Sequence, residues 1–289
     1  MIGQFVINGL ITGILYSLVA LGFALVYNTT RLFHMAAVAV YVLAAYIFYL
    51  FAVPVGLPVL LAGIVSVILT MLLSLLTDIC LYLPLKRLGA SNNVSMIASI
   101  GLMTAILNTL EMCFENKTLV IDQSEQPPLS IGEVVISASQ VWQVAFGGIA
   151  ILLFLVILRR REWGIRLKAF SSDSSLCETL GYDTMKMRIG VFLLSGAFLS
   201  LGSCLASYDT GLNTGMGLVM LINGLVAMIV GGVGNLEACL LGGLSLGVLQ
   251  SVTVYFFPSS WQNAVSFLVL VAMLFLRPQG IAGYKKRIV

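Results

Sequence analysis

Apolar residues run along this chain in nine long stretches, at residues 5–27, 35–52, 58–83, 94–113, 141–158, 189–208, 218–233, 236–257 and 261–276, with short polar knots between them. A helix crosses the hydrocarbon core of a bilayer with about 20 apolar residues. The pattern therefore predicts an all-α polytopic membrane helical bundle of about 8–9 spans. Two stretches leave the count open by one. Residues 218–233 are few and broken by glycine, and 35–52 follow closely on a polar knot, so either suits a broken or re-entrant segment. Such a segment is tolerated only where protein or a watery cavity surrounds it.

Composition supports this pattern. Of 289 residues, 60% are hydrophobic and 9% charged, against about 25% charged in ordinary globular chains, which excludes a soluble enzyme. The spans consume most of the length, so residues 1–289 are expected to form a single transmembrane domain. No hydrophilic tail or A-x-A cleavage site follows the first stretch, which is therefore expected to be a retained span. A net charge of +3 argues against nucleic acid as a partner. Cys80, Cys113, Cys177, Cys204 and Cys239 are scattered singly, without a C-x-x-C pair.

Basic residues sort the loops. Lys86 and Arg87 follow the third stretch, Arg159, Arg160, Arg161, Arg166, Lys168, Lys186 and Arg188 follow the fifth, and Arg277, Lys285, Lys286 and Arg287 crowd the C-terminus. By the positive-inside rule these ends are cytoplasmic. The loop from Glu115 to Gln140 carries Glu115, Asp122, Glu125 and Glu133 against Lys117, and suits the exterior. Counting spans then places the N-terminus outside and the C-terminus inside.

The cytoplasmic insert at 159–188 is longer than a turn and shorter than a domain. It offers Ser and Asp as helix N-caps, a short run through Leu176, Cys177, Thr179 and Leu180, and Gly181 in the position of a helix stop. A short amphipathic helix along the membrane face is expected. From the residues alone, its purpose is either a contact with another protein or the fixing of topology.

Chemistry within the chain is not predicted. There is no G-x-x-x-x-G-K-[ST] loop and no G-x-S-x-G elbow, and the single histidine, His34, cannot build a metal cluster. No catalytic or metal-ligating residue is assigned. Ionisable residues of the apolar stretches sit near their ends: Asp78, Glu111, Asp209 and Glu237 are expected to snorkel or hydrate at the interface, with a pathway role as the alternative. Lack of a deeper carboxylate counts against a proton-driven carrier. Glycine is more telling. In GGVGNLEACLLGGLSLG, Gly242, Gly243 and Gly247 suit close helix packing, whereas Gly231, Gly232, Gly234 and Asn235 suit a connection between two half-length segments whose backbone faces a permeation path. Asn223, in the same region, and His34 are the remaining polar candidates for that path.

Three segments in order resemble the permease subunits of bacterial ABC importers of the branched-chain amino-acid type. They are NGLITGILYSLVALGFALVY from Asn8, the glycine-rich segment from Gly231, and Arg277-Pro278-Gln279-Gly280-Ile281. The resemblance covers nearly the whole chain. It implies a coupling role for Glu178, Thr179, Leu180, Gly181, Tyr182 and Asp183, docked on a partner ATPase. It also implies a second permease, homologous or identical, two cytoplasmic ATPase subunits that bind ATP and Mg, an extracytoplasmic solute-binding protein, and a place in the bacterial inner membrane. This chain itself would hold no cofactor. Amino acids are the implied cargo, with urea, amides, ribose or nucleosides as alternatives. A stand-alone secondary transporter or channel is the reading of a different class. One departure stands out: family members commonly carry Ala-His-Gly after the first segment, whereas Ala37 and Val38 take the positions of His and Gly here. His34 could substitute in part, or lie at the interface as an end-of-helix residue. Glu237 stands where a small residue or proline is usual.

Overall fold

The computed structural model describes residues 2–121, 129–131, 134–160, 162–172, 174–179, 181–277 and 279–281. Each apolar stretch forms a helix. In chain order these are α1 (Ile2–Thr30), α2 (Ala37–Ala52), α3 (Val59–Arg87), α4 (Asn92–Phe114) and α5 (Ala138–Arg159). The insert contributes α6 (Glu162–Ser172) and α7 (Ser174–Thr179), followed by α8 (Thr184–Thr210), α9 (Met216–Gly231), α10 (Leu236–Phe256) and α11 (Trp261–Leu276). Strands β1 (Leu129–Ile131) and β2 (Val134–Ile136) form an antiparallel hairpin before α5.

Six of the helices, α1, α3, α4, α5, α8 and α10, are long and apolar enough to cross a membrane. The others, α2, α9 and α11, have 16 residues each and reach about 24 Å. Two spans change pitch internally, with π turns at Asp78–Tyr82 in α3 and Gln143–Gly147 in α5. In α3 the cause lies just beyond: Pro84 lacks an N–H and would clash with the carbonyl four residues back, and the widened turn relieves this.

The chain clusters into two compact units. One comprises Leu25–Asp122 and Leu153–Val219. Its core is α2, α3 and α8, joined through small hydroxyl residues that let backbones approach. Ser66 donates to the Ala44 carbonyl at 2.7 Å, Ser74 to that of Phe192 at 2.9 Å, and Ser203 to that of Tyr41 at 2.6 Å. Satisfied hydroxyls of this kind cost little at membrane depth. Val38, at the position where the resemblance implies glycine, is accommodated because Gly217 faces it: a β-carbon on Gly217 would lie 2.4 Å from Val42 and 3.0 Å from Val38. At one end of this unit, Arg31 donates to the Ser171 carbonyl at 3.2 Å and Ser171 to that of Asn28 at 3.3 Å. At the other, Leu119 and Leu212 pair through their backbones, and Thr214 donates to Glu111 at 2.8 Å.

The second unit comprises Met1–Ala24, Gln123–Leu152 and Met220–Val289. Here α1 and α10 meet along a glycine seam. A β-carbon on Gly247 would lie 2.4–2.5 Å from the backbones of Gly9 and Gly13, and one on Gly243 would strike Ser17. Both helices thus carry a small-xxx-small pair, the pattern that brings membrane helices into backbone contact. One end of this unit gathers Gln4, bonded to Val135 at 2.8 Å, and Phe5, whose carbonyl accepts from Ser251 at 2.6 Å. The other holds Val230, whose carbonyl accepts from Ile281 at 2.9 Å.

Within the first unit, Arg31, Lys86, Arg87, Arg159, Arg166, Lys168, Lys186 and Arg188 belong to the insert or to the loops and helix ends that meet it, while Lys117 lies at the opposite end among the described residues. That distribution fits the positive-inside rule with the insert end cytoplasmic. The α2 helix runs from one end of this unit to the other, with Tyr82 in ring contact with His34 just before its start and Phe114 with Tyr46 in its second half.

Candidate coupling face and buried polar clusters

The insert folds onto the cytoplasmic end of α8. Glu178 and Thr179 end α7 on the surface, while Leu180 lies outside the described residues. Gly181, at φ +80°, closes the helix: its N–H bonds the Glu178 carbonyl at 3.0 Å and that of Tyr182 the Cys177 carbonyl at 3.0 Å. This is the double hydrogen bond of a Schellman stop, which needs a left-handed residue. Asp183 then starts α8, its carboxylate accepting from the Lys186 N–H at 3.1 Å and pairing with the Lys186 ammonium at 3.0 Å. That backbone bond is the first cause holding the Asp183 carboxyl below its ordinary range. Glu178, Thr179 and Gly181 to Asp183, expected from the resemblance to couple to an ATPase, thus lie at a stop-and-start between two helices. The α6 side closes over a small apolar pocket lined by Ile165, Ala169, Phe170, Cys177 and Met187, with the Arg166 guanidinium 5.7 Å from the Tyr182 ring centre.

The structure corrects the expectation for Asp78. Rather than snorkelling to water, Asp78 is fully buried, and Arg188 of α8 is buried against it, its Nε donating at 2.8 and 3.0 Å and its Nη2 at 2.5 Å. Asp78 opens the π turn of α3 facing the first turns of α8, so the carboxylate points at protein. Arg188, read from sequence as a topology marker, is instead half of a buried ion pair. Its guanidinium also lies 5.7 Å from the Phe192 ring centre.

His34 lies beside this pair, fully buried rather than at a wet interface. Its Nδ1 is 2.7 Å from the Tyr82 hydroxyl, and its ring meets Tyr82 and Phe192 edge-on at 5.4 and 5.7 Å. A cleft opens on the cytoplasmic side here, lined by Thr29, Lys86, Arg87, Asn92, Glu178 and Arg188 among others.

Asn223 belongs to a buried cluster in the other unit. The Gln250 carboxamide donates to the Asn223 carbonyl at 3.1 Å, Ser266 donates to the same oxygen at 3.0 Å, and Tyr16 donates to the Gln250 oxygen at 2.6 Å. Gln250 also meets the Ser266 hydroxyl. Four helices, α1, α9, α10 and α11, are tied through these side chains. Asn223 was legible as a candidate, whereas Tyr16, Gln250 and Ser266 were not singled out for such a cluster. A lone amide such as Gln250 in an apolar stretch was the available signal.

Gly231, Gly232, Gly234 and Asn235 form the turn between α9 and α10. Because α10 is a full 21-residue helix, the expected pair of half-length segments is not what they join. Gly232 and Gly234 take φ of 126° and 102°, and Asn235 caps α10 by accepting from the N–H groups of Glu237 and Ala238 at 3.1 and 3.4 Å. Gly231 packs against Ala238 and Gly232 against Gly280, contacts closer than any side chain permits. Glu237 sits in the first turn of α10, where a carboxylate suits the helix dipole.

Six long apolar helices, three shorter ones and a folded insert define a multi-pass membrane protein. A family model described as branched-chain amino acid transport system, permease component, matches residues 5–274, and the chain belongs to that family as a transport permease subunit. It is 26% identical over 299 residues to the high-affinity branched-chain amino acid transport system permease protein BraD of Pseudomonas aeruginosa, covering 97% of this chain and 95% of that one. Over 301 residues it is 22% identical to the LivH permease protein of Escherichia coli K12, with the same coverage. Among solved structures, PsaBC from Streptococcus pneumoniae in complex with Fab shares the fold at a TM-score of 0.55 and 14% identity, over 96% of this chain and 93% of that one.

Proposed function

We propose that this chain is one permease subunit of an ATP-driven importer for branched-chain amino acids in the bacterial inner membrane. Its partners in this reading are a second permease, homologous or identical, two cytoplasmic ATPases that bind ATP and Mg, and an extracytoplasmic solute-binding protein. Glu178 to Asp183 form the element an ATPase grips. The observation that carries the coupling role is the Asp78–Arg188 pair, which fastens the helix starting at Asp183 to α3 within its first two turns. Movement of the gripped element is then passed to a span rather than absorbed in a loop. The buried clusters around His34 and Asn223, and the turn from Gly231 to Asn235, are the joints about which the spans rearrange to open the path. The names of BraD and LivH support the cargo.

The test is uptake of labelled leucine into proteoliposomes holding this permease, its ATPases and binding protein. ATP-dependent uptake is expected. Uptake by this chain alone that follows an ion gradient without ATP overturns the reading.

A further inference from the structure

One span is unlike the others in what it turns outward. On α5 the exposed face is Ile149, Leu152, Leu153, Val156 and Ile157, and on α11 it is Phe267, Leu268, Val271, Leu274 and Phe275, both of which suit lipid. On α4 it includes Gly101, Thr104 and Asn108, followed by half-buried Glu111 at the exterior end. Spacings of three, four and three place these on a single helical face. Among the six longest helices it is also the least covered, with 11% of an 18-residue stretch buried.

The hydroxyls there need no partner, because Thr104 donates to the Gly101 carbonyl at 2.9 Å and Thr109 to that of Ala105 at 2.7 Å. Asn108 differs. Its carboxamide makes no hydrogen bond with any described residue, although it sits six residues inside the end of α4 at Phe114. Two amides inside other spans, Asn223 and Gln250, are buried and bonded to each other. An unbonded amide facing hydrocarbon is costly, and polar side chains at membrane depth turn to protein or to a water-filled cavity.

We infer that this face of α4 lines the solute path, with Asn108 as a polar contact within it and Glu111 at its outer mouth. Glu111, bonded by Thr214 at the exterior end of this face, favours a path over a buried seam between two permeases. Exposed Ile97 and Met112 lie beside the polar residues, giving a surface on which a zwitterion with an aliphatic side chain finds both kinds of contact. A carboxylate at the mouth suits the ammonium group of such a solute. The inference rests on the importer reading.

Cysteine accessibility in the assembled transporter tests it. With exposed Cys80 and Cys113 replaced by Ser, Asn108→Cys and the lipid-facing control Leu152→Cys are each treated from the outside with a membrane-impermeant cationic methanethiosulfonate. Asn108→Cys is expected to react at least about tenfold faster than the control, at a rate that changes when ATP and vanadate trap the ATPases, and its modification is expected to block uptake. Reaction as slow as the control in both states overturns the inference. So does ready disulfide formation between two copies through Asn108→Cys, which makes this face the seam between permeases. Failure of the importer reading shows separately, as absence of ATP-dependent uptake in the unmodified transporter.

Discussion

Arg188 holds Asp78 in a two-nitrogen fork across 110 residues of chain, its Nε donating to both carboxylate oxygens at 3.0 and 2.8 Å. Both side chains are buried, with relative exposures of 7% and 0%. Such a pair adds little net stability over apolar residues of equal volume, yet removing one partner strands a charge and costs about 3–5 kcal/mol. Asp78→Leu or Arg188→Leu alone is therefore expected to lower the melting temperature in detergent sharply. The double variant is expected to recover most of the loss while lowering the uptake per ATP hydrolysed. Equal melting temperatures for the single and double variants would show that the pair is not an energetic unit.

Gly181 separates backbone effects from contact effects. Nothing lies within 4 Å of a β-carbon built there, but φ is +80°. Gly181→Ala carries only the left-handed strain of about 1–2 kcal/mol, and is expected to loosen the end of α7 while leaving coupling partly intact. Gly181→Asp adds charge on the proposed ATPase contact and is expected to leave ATP turnover high and uptake low. Transport and hydrolysis measured on the same vesicles decide this, and unchanged coupling in Gly181→Asp removes the element from the ATPase contact.

Asp183 sets the acid limit of the helix start. Its carboxyl is held below the ordinary 3.8, first by the bond from the Lys186 N–H, then by the Lys186 side chain. A depressed carboxyl contributes its stabilisation fully above the unfolded value and loses it as pH falls through the folded one. Protection of the Lys186 amide against hydrogen exchange, corrected for the intrinsic rate, is expected to stay flat from about pH 8 to about pH 5 and to fall only in stronger acid. Asp183→Asn keeps an acceptor for the cap and is expected to abolish that acid step. A step surviving in Asp183→Asn assigns it to another group.

Helix number was legible because each helix needs its own run of apolar residues. The stop at Gly181 was readable for the same local reason. Pairings were not. Asp78 and Arg188 belong to different spans, and no spacing rule links them, so each looked like an ordinary interfacial charge. The glycines from Gly231 suggested a broken span because a turn and a break share one composition. Only the full length of α10 and the packing of Gly280 on Gly232 distinguish them.

Gln250 is the centre of the cluster that ties four helices, accepting from Tyr16 and donating to Asn223. Its removal has unequal consequences for its neighbours. Gln250→Leu leaves the Tyr16 hydroxyl without its acceptor in an apolar setting, and an unpaired buried group costs about 1–3 kcal/mol. Asn223 is less affected, since Ser266 still donates to it at 3.0 Å. Adding Tyr16→Phe to Gln250→Leu removes the orphaned hydroxyl, so the double variant is expected to be more stable than Gln250→Leu alone. Such non-additivity is the mark of groups acting as a network. A thermal-melt cycle over the four proteins measures it. Strict additivity would mean that Tyr16 and Gln250 are packed side by side without depending on each other.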